Sequence, residues 1–178
     1  MLIYLAMLET DAEKAKFEII YNEYKNLMYY VANKILNNKS DSEDVVHQAF
    51  LKVIENIHKI NEPKCPQTRS LVVIITERKA IDLYRQHKAH AGISIDEDTV
   101  QVAVRSDIDS YSERSLVAAA IAKLPERYRQ LLLLKYDSGF SEHEIGELLS
   151  MTDANVKKTI QRAKTKLAAI LNELEVEQ

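Results

Sequence analysis

The sequence contains very little glycine and proline and a single cysteine. Of its 178 residues, 3 are Gly, 3 are Pro and 1 is Cys. Strands joined by tight turns need glycine and proline, so their scarcity argues against a β-rich fold and favours an all-helical one. The lone cysteine, Cys65, excludes a disulfide framework within one chain and fits a reducing cytoplasm. The 46% hydrophobic content suffices for one or two small helical domains.

The sequence also lacks a long apolar run. Its first eight residues, MLIYLAML, are apolar, but a membrane span needs about 20 such residues. No basic segment precedes them, as it would in a signal peptide, and Glu9 and Asp11 follow at once. We therefore expect no membrane insertion, and we interpret this stretch as the start of a helix that packs on its own domain.

An excess of positive charge occurs in two segments. The formal net charge of −3 argues against a uniformly basic surface, so any contact with nucleic acid must be local. Residues 64–90 hold six basic and two acidic residues, and residues 152–170 hold five basic and one acidic, so each segment has a local charge of +4. Between them, residues 92–113 hold six acidic residues and one basic residue, a local charge of −5. The weakly periodic, acidic segment 91–115 predicts a linker between two helical domains.

Residues 124–167 predict three short helices, the last two joined by a tight turn. Ser141 and Glu144 form a capping box at the start of the second helix, and Thr152 can cap the third. The third helix carries an apolar stripe, Val156, Ile160, Ala163 and Leu167, and a polar, basic face that includes Asn155, Lys157, Lys158, Gln161 and Arg162. This layout is typical of a helix-turn-helix motif, whose second helix enters the major groove. A helical hairpin with a solvated basic face is the plainer alternative.

The first half of the chain predicts three further helical segments. Residues 12–36 predict one or two helices in which Tyr24, Tyr29 and Tyr30 favour a core role over base stacking. Asn37 to Ser40 break this segment, and Ser40 with Glu43 predicts a second capping box. The next helix presents a polar outer face of Asp41, Asp44, His47, Gln48, Lys52 and Glu55. A loop at 61–67, which contains Pro63 and Pro66, precedes a helix from about Thr68 to His87.

Several of these segments resemble a known family. LPERYRQLLLLKY, GFSEHEIGELL and NVKKTIQRAKTKL resemble region 4, the C-terminal DNA-binding domain of bacterial sigma factors, the initiation subunits of RNA polymerase. DSEDVVHQAFLKVIENI resembles the region 2.2 helix, and TRSLVVIITERKAIDLYRQHK resembles the region 2.3 to 2.4 helix. Gly146 stands where the family usually has Ala, and Asn155 where it has Thr. The length leaves room for these two regions only, which is typical of the extracytoplasmic-function class.

The resemblance implies an all-α fold with two helical domains. Residues 1–90 are expected to form a region 2 helical bundle, and residues 116–172 a region 4 helix-turn-helix domain. The acidic linker 91–115 joins them, and residues 173–178 form a tail. The implied function is that of a cytoplasmic transcription initiation factor, not an enzyme, which directs core RNA polymerase to minus-ten and minus-thirty-five promoter elements.

The resemblance also assigns residues to three contact surfaces. Core polymerase docking is expected to use Asp41, Asp44, His47 and Gln48. The minus-ten element is expected to contact Arg78, Lys79, Asp82 and Arg85, with the 61–67 loop forming a pocket for a flipped base. The minus-thirty-five element is expected to contact Asn155, Lys157, Lys158, Gln161 and Arg162. His47, Leu71 and Arg78 depart from the family pattern, so the strength of docking and melting stays open. Asp82 has a second interpretation, in which it orients an arginine of its own domain.

The expected partners are core RNA polymerase, through its β′ clamp and β flap, and promoter DNA. An anti-sigma factor that masks both domains is an option that the sequence leaves open. We expect no cofactor and no metal, because His87 and His90 lack a neighbouring ligand cluster. Two alternatives remain at this point: a stand-alone helix-turn-helix regulator that binds operators as a dimer, and a degenerate sigma-like adaptor that binds polymerase without opening DNA.

Overall fold

The computed structural model describes residues 1–90 and 116–176, and the chain divides into two compact units, Met1–Val104 and Arg105–Gln178. Within the described ranges the regular structure is helical and includes eight α-helices and no strand. The all-α fold is therefore confirmed. The predicted acidic linker, 91–115, lies outside the described residues.

The N-terminal unit is a bundle of three long helices preceded by a short one. These elements are α1 (Leu2–Leu5), α2 (Asp11–Leu36), α3 (Lys39–Glu55), a 3-10 turn (Ile57–Lys59) and α4 (Pro66–His90). α2 packs along α3 and α4, and α3 also packs on α4. α3 runs antiparallel to its two neighbours, since Val45 packs near Ile35 and Ala80 while Phe50 packs near Phe17. α1 docks on α3, as expected for a helix start that packs on its own domain.

A single helix covers the stretch that the sequence assigned to one or two. α2 begins at a capping box in which the Thr10 hydroxyl accepts from the Glu13 amide at 3.1 Å, and the Glu13 carboxylate accepts from the Thr10 amide at 3.2 Å. The hydrogen bond that the Thr10 amide donates to the Glu13 carboxylate, followed by a hydrogen bond from the Thr10 side chain, lowers the pKa of Glu13. The helix ends at Asn37, whose φ of 48° is the left-handed conformation that closes many helices.

The cap of α3 differs from the sequence prediction. Asn38 occupies the N-cap position, where its side-chain oxygen accepts a hydrogen bond from the Asp41 amide at 3.2 Å. Ser40 lies inside the first turn of α3 and is exposed, so the predicted capping box of Ser40 and Glu43 is wrong. The reason is that α2 ends at Asn37, which leaves the next residue extended and able to cap.

Aromatic rings fill one end of the three-helix core. Tyr4, Phe17, Tyr21 and Phe50 have ring centroids between 5.0 and 6.2 Å apart. Such tilted pairs add to the free energy of burial that each ring provides. Tyr24 is buried at 5% exposure, which confirms its core role, whereas Tyr30 is 58% exposed. α4 lies deepest, because residues 71–77 are all buried.

α4 is longer than the sequence predicted. It runs from Pro66 to His90, whereas the sequence placed it from about Thr68 to His87. Proline has no amide hydrogen to lose in the first turn of a helix, so Pro66 starts α4 rather than belonging to the loop. The loop shortens to residues 61–65.

The C-terminal unit is organised around one long helix. Its elements are α5 (Leu116–Ala122), α6 (Glu126–Leu132), a π-helical turn (Leu133–Asp137), α7 (Glu142–Leu149) and α8 (Asp153–Val176). α8 packs on α5, α6 and α7. It continues to Val176, through most of the segment that the sequence assigned to the tail.

Replacing the helix cap of α3 tests the corrected boundary. Asn38→Ala should lower the free energy of unfolding by about 1 kcal/mol, because it removes the acceptor for the Asp41 amide. Urea titration followed by far-UV circular dichroism measures the change. Ser40→Ala is the matched control and should shift stability by less than about 0.5 kcal/mol. A larger effect at Ser40 than at Asn38 would restore the original cap assignment.

Candidate polymerase and promoter interfaces

The turn between α7 and α8 forms as the sequence predicts. Ser141 and Glu144 make the capping box of α7, with the Ser141 amide donating to Glu144 Oε2 at 2.8 Å. α7 ends at Ser150, which has a φ of 53°, and the Met151 amide donates to the Gly146 carbonyl at 2.9 Å. The Thr152 hydroxyl then accepts from the Asn155 amide at 3.3 Å. Three residues therefore separate α7 from α8, as in a helix-turn-helix motif.

Gly146 lets the turn approach α7 closely. A Cβ at this position would lie 2.6 Å from the Met151 carbonyl oxygen and 3.3 Å from Asp153 Oδ1. The oxygen of Met151 belongs to the backbone, so it cannot move aside as a flexible side chain could. The structure shows that the close partner is the backbone of the turn that starts α8.

One stripe of α8 is buried and the opposite face is exposed. Val156, Thr159, Ile160, Ala163 and Ile170 are each at most 8% exposed, and Leu167 is half-buried. The five predicted minus-thirty-five residues, Asn155, Lys157, Lys158, Gln161 and Arg162, are all exposed. They share the first three turns of α8, so the structure brings them together on the surface next to the α7 to α8 turn.

The cations of α8 differ in their surroundings. Within the described residues Lys158 and Arg162 have no ion-pair partner, so their charges are free to meet phosphates. Lys157 lies near Glu142, whose pKa is lowered chiefly because Lys135 donates a hydrogen bond to its carboxylate at 3.0 Å, with Lys157 adding a smaller effect. Part of the charge of Lys157 is therefore offset within the protein.

A histidine ties α7 to the start of α8. His143 Nδ1 lies 3.3 Å from both carboxylate oxygens of Asp153, and its Nε2 lies 3.8 Å from Glu147 Oε1. Asp153 is the first residue of α8, where a negative charge also interacts favourably with the helix dipole. The only acid in the basic segment 152–170 is thus engaged with His143 at the edge of the exposed face.

The four residues predicted for polymerase docking lie on α3 in different environments. Asp44 and Gln48 are exposed, and Asp44 has no ion-pair partner among the described residues. Asp41 is half-buried, with His87 Nδ1 3.7 Å from its carboxylate. His47 is exposed, but its Nδ1 is 2.6 Å from the Tyr4 hydroxyl of α1. The face of α3 that the sequence predicts for docking is therefore bordered by α4 at one end and by α1 near its middle.

Sequence analysis missed the involvement of Tyr4 at this face. Burial raises the pKa of Tyr4, so its hydroxyl stays protonated and can donate to His47 Nδ1. The signal was present in the apolar opening MLIYLAML, which predicted packing on the domain. The hydrophobic pattern of so short a segment does not indicate which helix it packs against.

The residues predicted for the minus-ten element lie along one side of α4. Arg78, Lys79, Asp82 and Arg85 are all half-buried. Arg78 Nε is 3.9 Å from Asp82 Oδ1, and the Arg78 side chain is only 17% exposed. This pairing fits the second interpretation of Asp82, in which it orients an arginine of its own domain. Arg78 therefore offers less of its guanidinium to solvent than the sequence suggested.

Hydrogen bonds hold the loop before α4 in a compact shape. The Thr68 hydroxyl and the Cys65 thiol both donate to the Glu62 carbonyl, at 2.6 and 3.1 Å. Lys16 of α2 donates to the Ile60 carbonyl at 2.6 Å, where the loop begins. Lys64 forms an ion pair with Glu23 of α2 at 3.2 Å. The loop is thus attached to α2 on one side and to the first turn of α4 on the other.

Residues 1–90 and 116–176 contain neither a candidate membrane-spanning helix nor a candidate metal cluster. No helix there is both long and apolar enough to cross a bilayer. No group of three or more His, Cys, Asp and Glu side chains is arranged to bind a metal. His87, considered as a ligand candidate together with His90, instead lies beside Asp41.

Comparison with known families identifies both units. The profile of sigma-70 region 2 matches residues 20–90, and the profile of sigma-70 region 4 matches residues 114–167. Together they cover more than half of the chain. The chain belongs to the sigma-70 family. Its class within that family is the extracytoplasmic-function class.

Similar proteins match over nearly their full length. SigM of Bacillus subtilis (strain 168), an ECF RNA polymerase sigma factor, is 26% identical over 155 residues, which is 86% of this chain and 93% of SigM. SigV of the same strain, an RNA polymerase sigma factor, is 23% identical over 88% of this chain and 92% of its own. A solved structure of CnrH with the cytosolic domain of CnrY is 22% identical over 88% of each chain, with a TM-score of 0.37.

Gly146→Ala tests the close approach at the α7 to α8 turn. The new methyl group would overlap the Met151 carbonyl oxygen, and such overpacking typically destabilises a protein by about 1–3 kcal/mol. We expect a lower urea midpoint, measured by circular dichroism. Ala169→Gly, at an exposed position of α8, is the control, and it isolates a helix-propensity effect of about 1 kcal/mol. A stabilised Gly146→Ala variant would show that the turn has room for the methyl group.

Proposed function

We propose that this sigma factor contacts core RNA polymerase and promoter DNA through three separate surfaces, one on α3, one on α4 with its preceding loop, and one on α8. The chain is a transcription initiation factor that directs core polymerase to promoters. The observation that carries the assignment is the exposed, basic face of α8 beside a capped helix-turn-helix turn. Sigma factors are not enzymes, so the function of this chain is recognition and not catalysis.

The surface on α8 is proposed to bind the minus-thirty-five element. A helix-turn-helix recognition helix enters the major groove by its N-terminal turns. Those turns of α8 expose Asn155, Lys158, Gln161 and Arg162. Arginine and lysine bind guanine bidentately or bind phosphate, and asparagine and glutamine bind adenine edges. Lys157 is proposed to contact phosphate more weakly, since Glu142 offsets part of its charge.

The surface on α4 is proposed to hold the opened minus-ten element. Lys79 and Arg85 are half-buried cations that can bind phosphates of a freed strand. Arg78 is proposed to act together with Asp82, since the two side chains lie within ion-pair distance. The loop at 61–65 precedes the N-terminal end of α4, and Arg78 lies near the middle of this helix. At a rise of about 1.5 Å per residue, the start of the helix and Arg78 are about 18 Å apart. We propose that this loop accepts a flipped base from the same DNA strand whose phosphates Lys79 and Arg85 bind.

The surface on α3 is proposed to dock on the β′ clamp. Asp44 is exposed and has no ion-pair partner among the described residues, which suits a basic partner surface. Gln48 and His47 add hydrogen-bonding groups in the next turn. Asp41 is proposed to contribute less, because His87 already lies near its carboxylate.

Cytoplasmic action follows from the location of bacterial polymerase. The β flap and an anti-sigma factor are further partners that the family suggests.

Run-off transcription tests the minus-thirty-five surface. Purified core polymerase on a pool of promoter fragments should produce discrete transcripts only when this protein is added. The double variant Lys158→Ala with Arg162→Ala should lower their yield about tenfold or more, because each lost base or phosphate contact costs about 1–3 kcal/mol. Affinity for core polymerase, measured by titration, should be unchanged.

A second double variant provides the matched control for that experiment. Lys164→Ala with Lys166→Ala removes the same charge from α8 but from the sides of the helix, and Lys164 lies over the Tyr136 ring at 5.0 Å. It should keep most of the transcript yield. Equal losses in both double variants would mean that overall charge, rather than the Lys158 and Arg162 face, determines binding.

Charge reversal at Asp44 tests the polymerase surface. Asp44→Arg should abolish binding to core polymerase, because it places a cation where we propose a basic partner surface. Its circular dichroism spectrum should match wild type, since Asp44 is exposed. Glu173→Arg is the control, because it makes an equal charge reversal at an exposed position of α8, and it should bind normally. Unchanged affinity of Asp44→Arg would show that core polymerase docks elsewhere.

A further inference from the structure

An exposed apolar patch covers the first seven residues of the chain. Met1, Leu2, Ile3 and Met7 are 50%, 82%, 72% and 52% exposed. The other large apolar side chains that are exposed among the described residues lie singly on α2, α5 and the π-helical turn. Single exposed apolar residues are normal on protein surfaces, but a cluster marks an interaction site.

The patch is presented by a segment that is docked on the protein. Tyr4 and Leu8 are buried at 8% and 6% exposure. The Tyr4 ring lies 5.4 Å from Phe17 and 5.7 Å from Phe50, between centroids. These contacts anchor α1 on the core while its neighbouring side chains point to solvent. The exposure of Leu2 and Ile3 therefore results from how α1 is held, since its anchoring residues are packed.

The patch continues into the docking face of α3. α1 packs on α3, and the Tyr4 hydroxyl lies 2.6 Å from His47 Nδ1. His47 shares its face with Asp44 one turn earlier and with Gln48 beside it. Leu2 and Ile3 precede Tyr4 in the chain and Asp44 lies one turn before His47, so the contact between Tyr4 and His47 joins the two areas. An apolar area with charged groups at its rim is the usual anatomy of a protein interface.

We propose that α1 and the outer face of α3 form one docking surface for core RNA polymerase. Leu2, Ile3 and Met7 pack against apolar side chains of the polymerase, next to the basic groups that meet Asp44. This inference rests on the docking function proposed for α3. We favour core polymerase over a second copy of this chain because α1 adjoins the face of α3 that is proposed to dock on polymerase.

The test compares affinities for purified core polymerase, using full-length protein and fluorescence titration. The double variant Leu2→Gln with Ile3→Gln should raise the Kd about tenfold, as expected when large apolar side chains are lost from an interface. Its thermal midpoint should stay at the wild-type value, because both residues are exposed. Ile19→Gln is the control, an exposed apolar residue of α2 outside the patch, and it should leave the Kd unchanged.

A second variant tests the link between α1 and α3. Tyr4→Phe keeps the packed ring but removes the hydroxyl that contacts His47. It should raise the Kd for core polymerase by a smaller factor, about two- to fivefold. Unchanged affinity of the Leu2 and Ile3 double variant would by itself overturn the proposal, whereas unchanged affinity of Tyr4→Phe alone would remove only the link through His47.

Parallel measurements separate this inference from the function on which it rests. If Asp44→Arg binds core polymerase normally, the α3 docking assignment fails. If Asp44→Arg loses binding while Leu2→Gln with Ile3→Gln binds like wild type, only the role of α1 fails. Sedimentation velocity adds one more outcome. Wild-type dimers that the double variant cannot form, together with equal polymerase affinity, would assign the patch to a second copy and overturn the proposal.

Discussion

The burial of one apolar stripe on each long helix decides which side chains remain for partners. On α8 the stripe through Val156, Ile160 and Ala163 packs on α5, α6 and α7. Because a helix turns about 100° per residue, this burial directs Lys158 and Arg162 away from the core. The same geometry on α3 buries Val45, Ala49 and Val53 and leaves Asp44 and Gln48 in solvent. The proposed contact surfaces are consequences of core packing.

α4 shows what happens when a helix has no free side over part of its length. Residues 71–77 are buried all round, so the cations that follow emerge only gradually from the core. Arg78 is 17% exposed and pairs with Asp82. A side chain held in this way is already ordered, so it would lose less conformational entropy in any contact that it makes. Lys158 and Arg162 of α8 are exposed and have no ion-pair partner among the described residues, so they lack this restraint.

The two units meet their partners with different chemistry. The C-terminal unit offers a basic helix beside a rigid turn, which Gly146 makes possible by leaving space for the Met151 carbonyl. The N-terminal unit offers an acidic and apolar surface in which α1 is fastened to α3 through Tyr4 and His47. The proposed minus-thirty-five surface has the former chemistry and the proposed polymerase surface has the latter, while the proposed minus-ten surface on α4 adds a basic side to the N-terminal unit.

The sequence by itself determined the helical fold, the helix-turn-helix motif and the face of α8 that is exposed, because helix period and capping boxes are local properties. Tertiary structure decided which residues near those faces cap a helix or contact a side chain of another helix. Asn38 caps α3 because α2 ends at Asn37, a boundary that propensity does not fix. Arg78 and Asp82 pair at an i, i+4 spacing that the sequence already offered, whereas the contacts of Tyr4 with His47 and of Asp41 with His87 depend on how helices pack. Residue types and spacing carry no record of those distances.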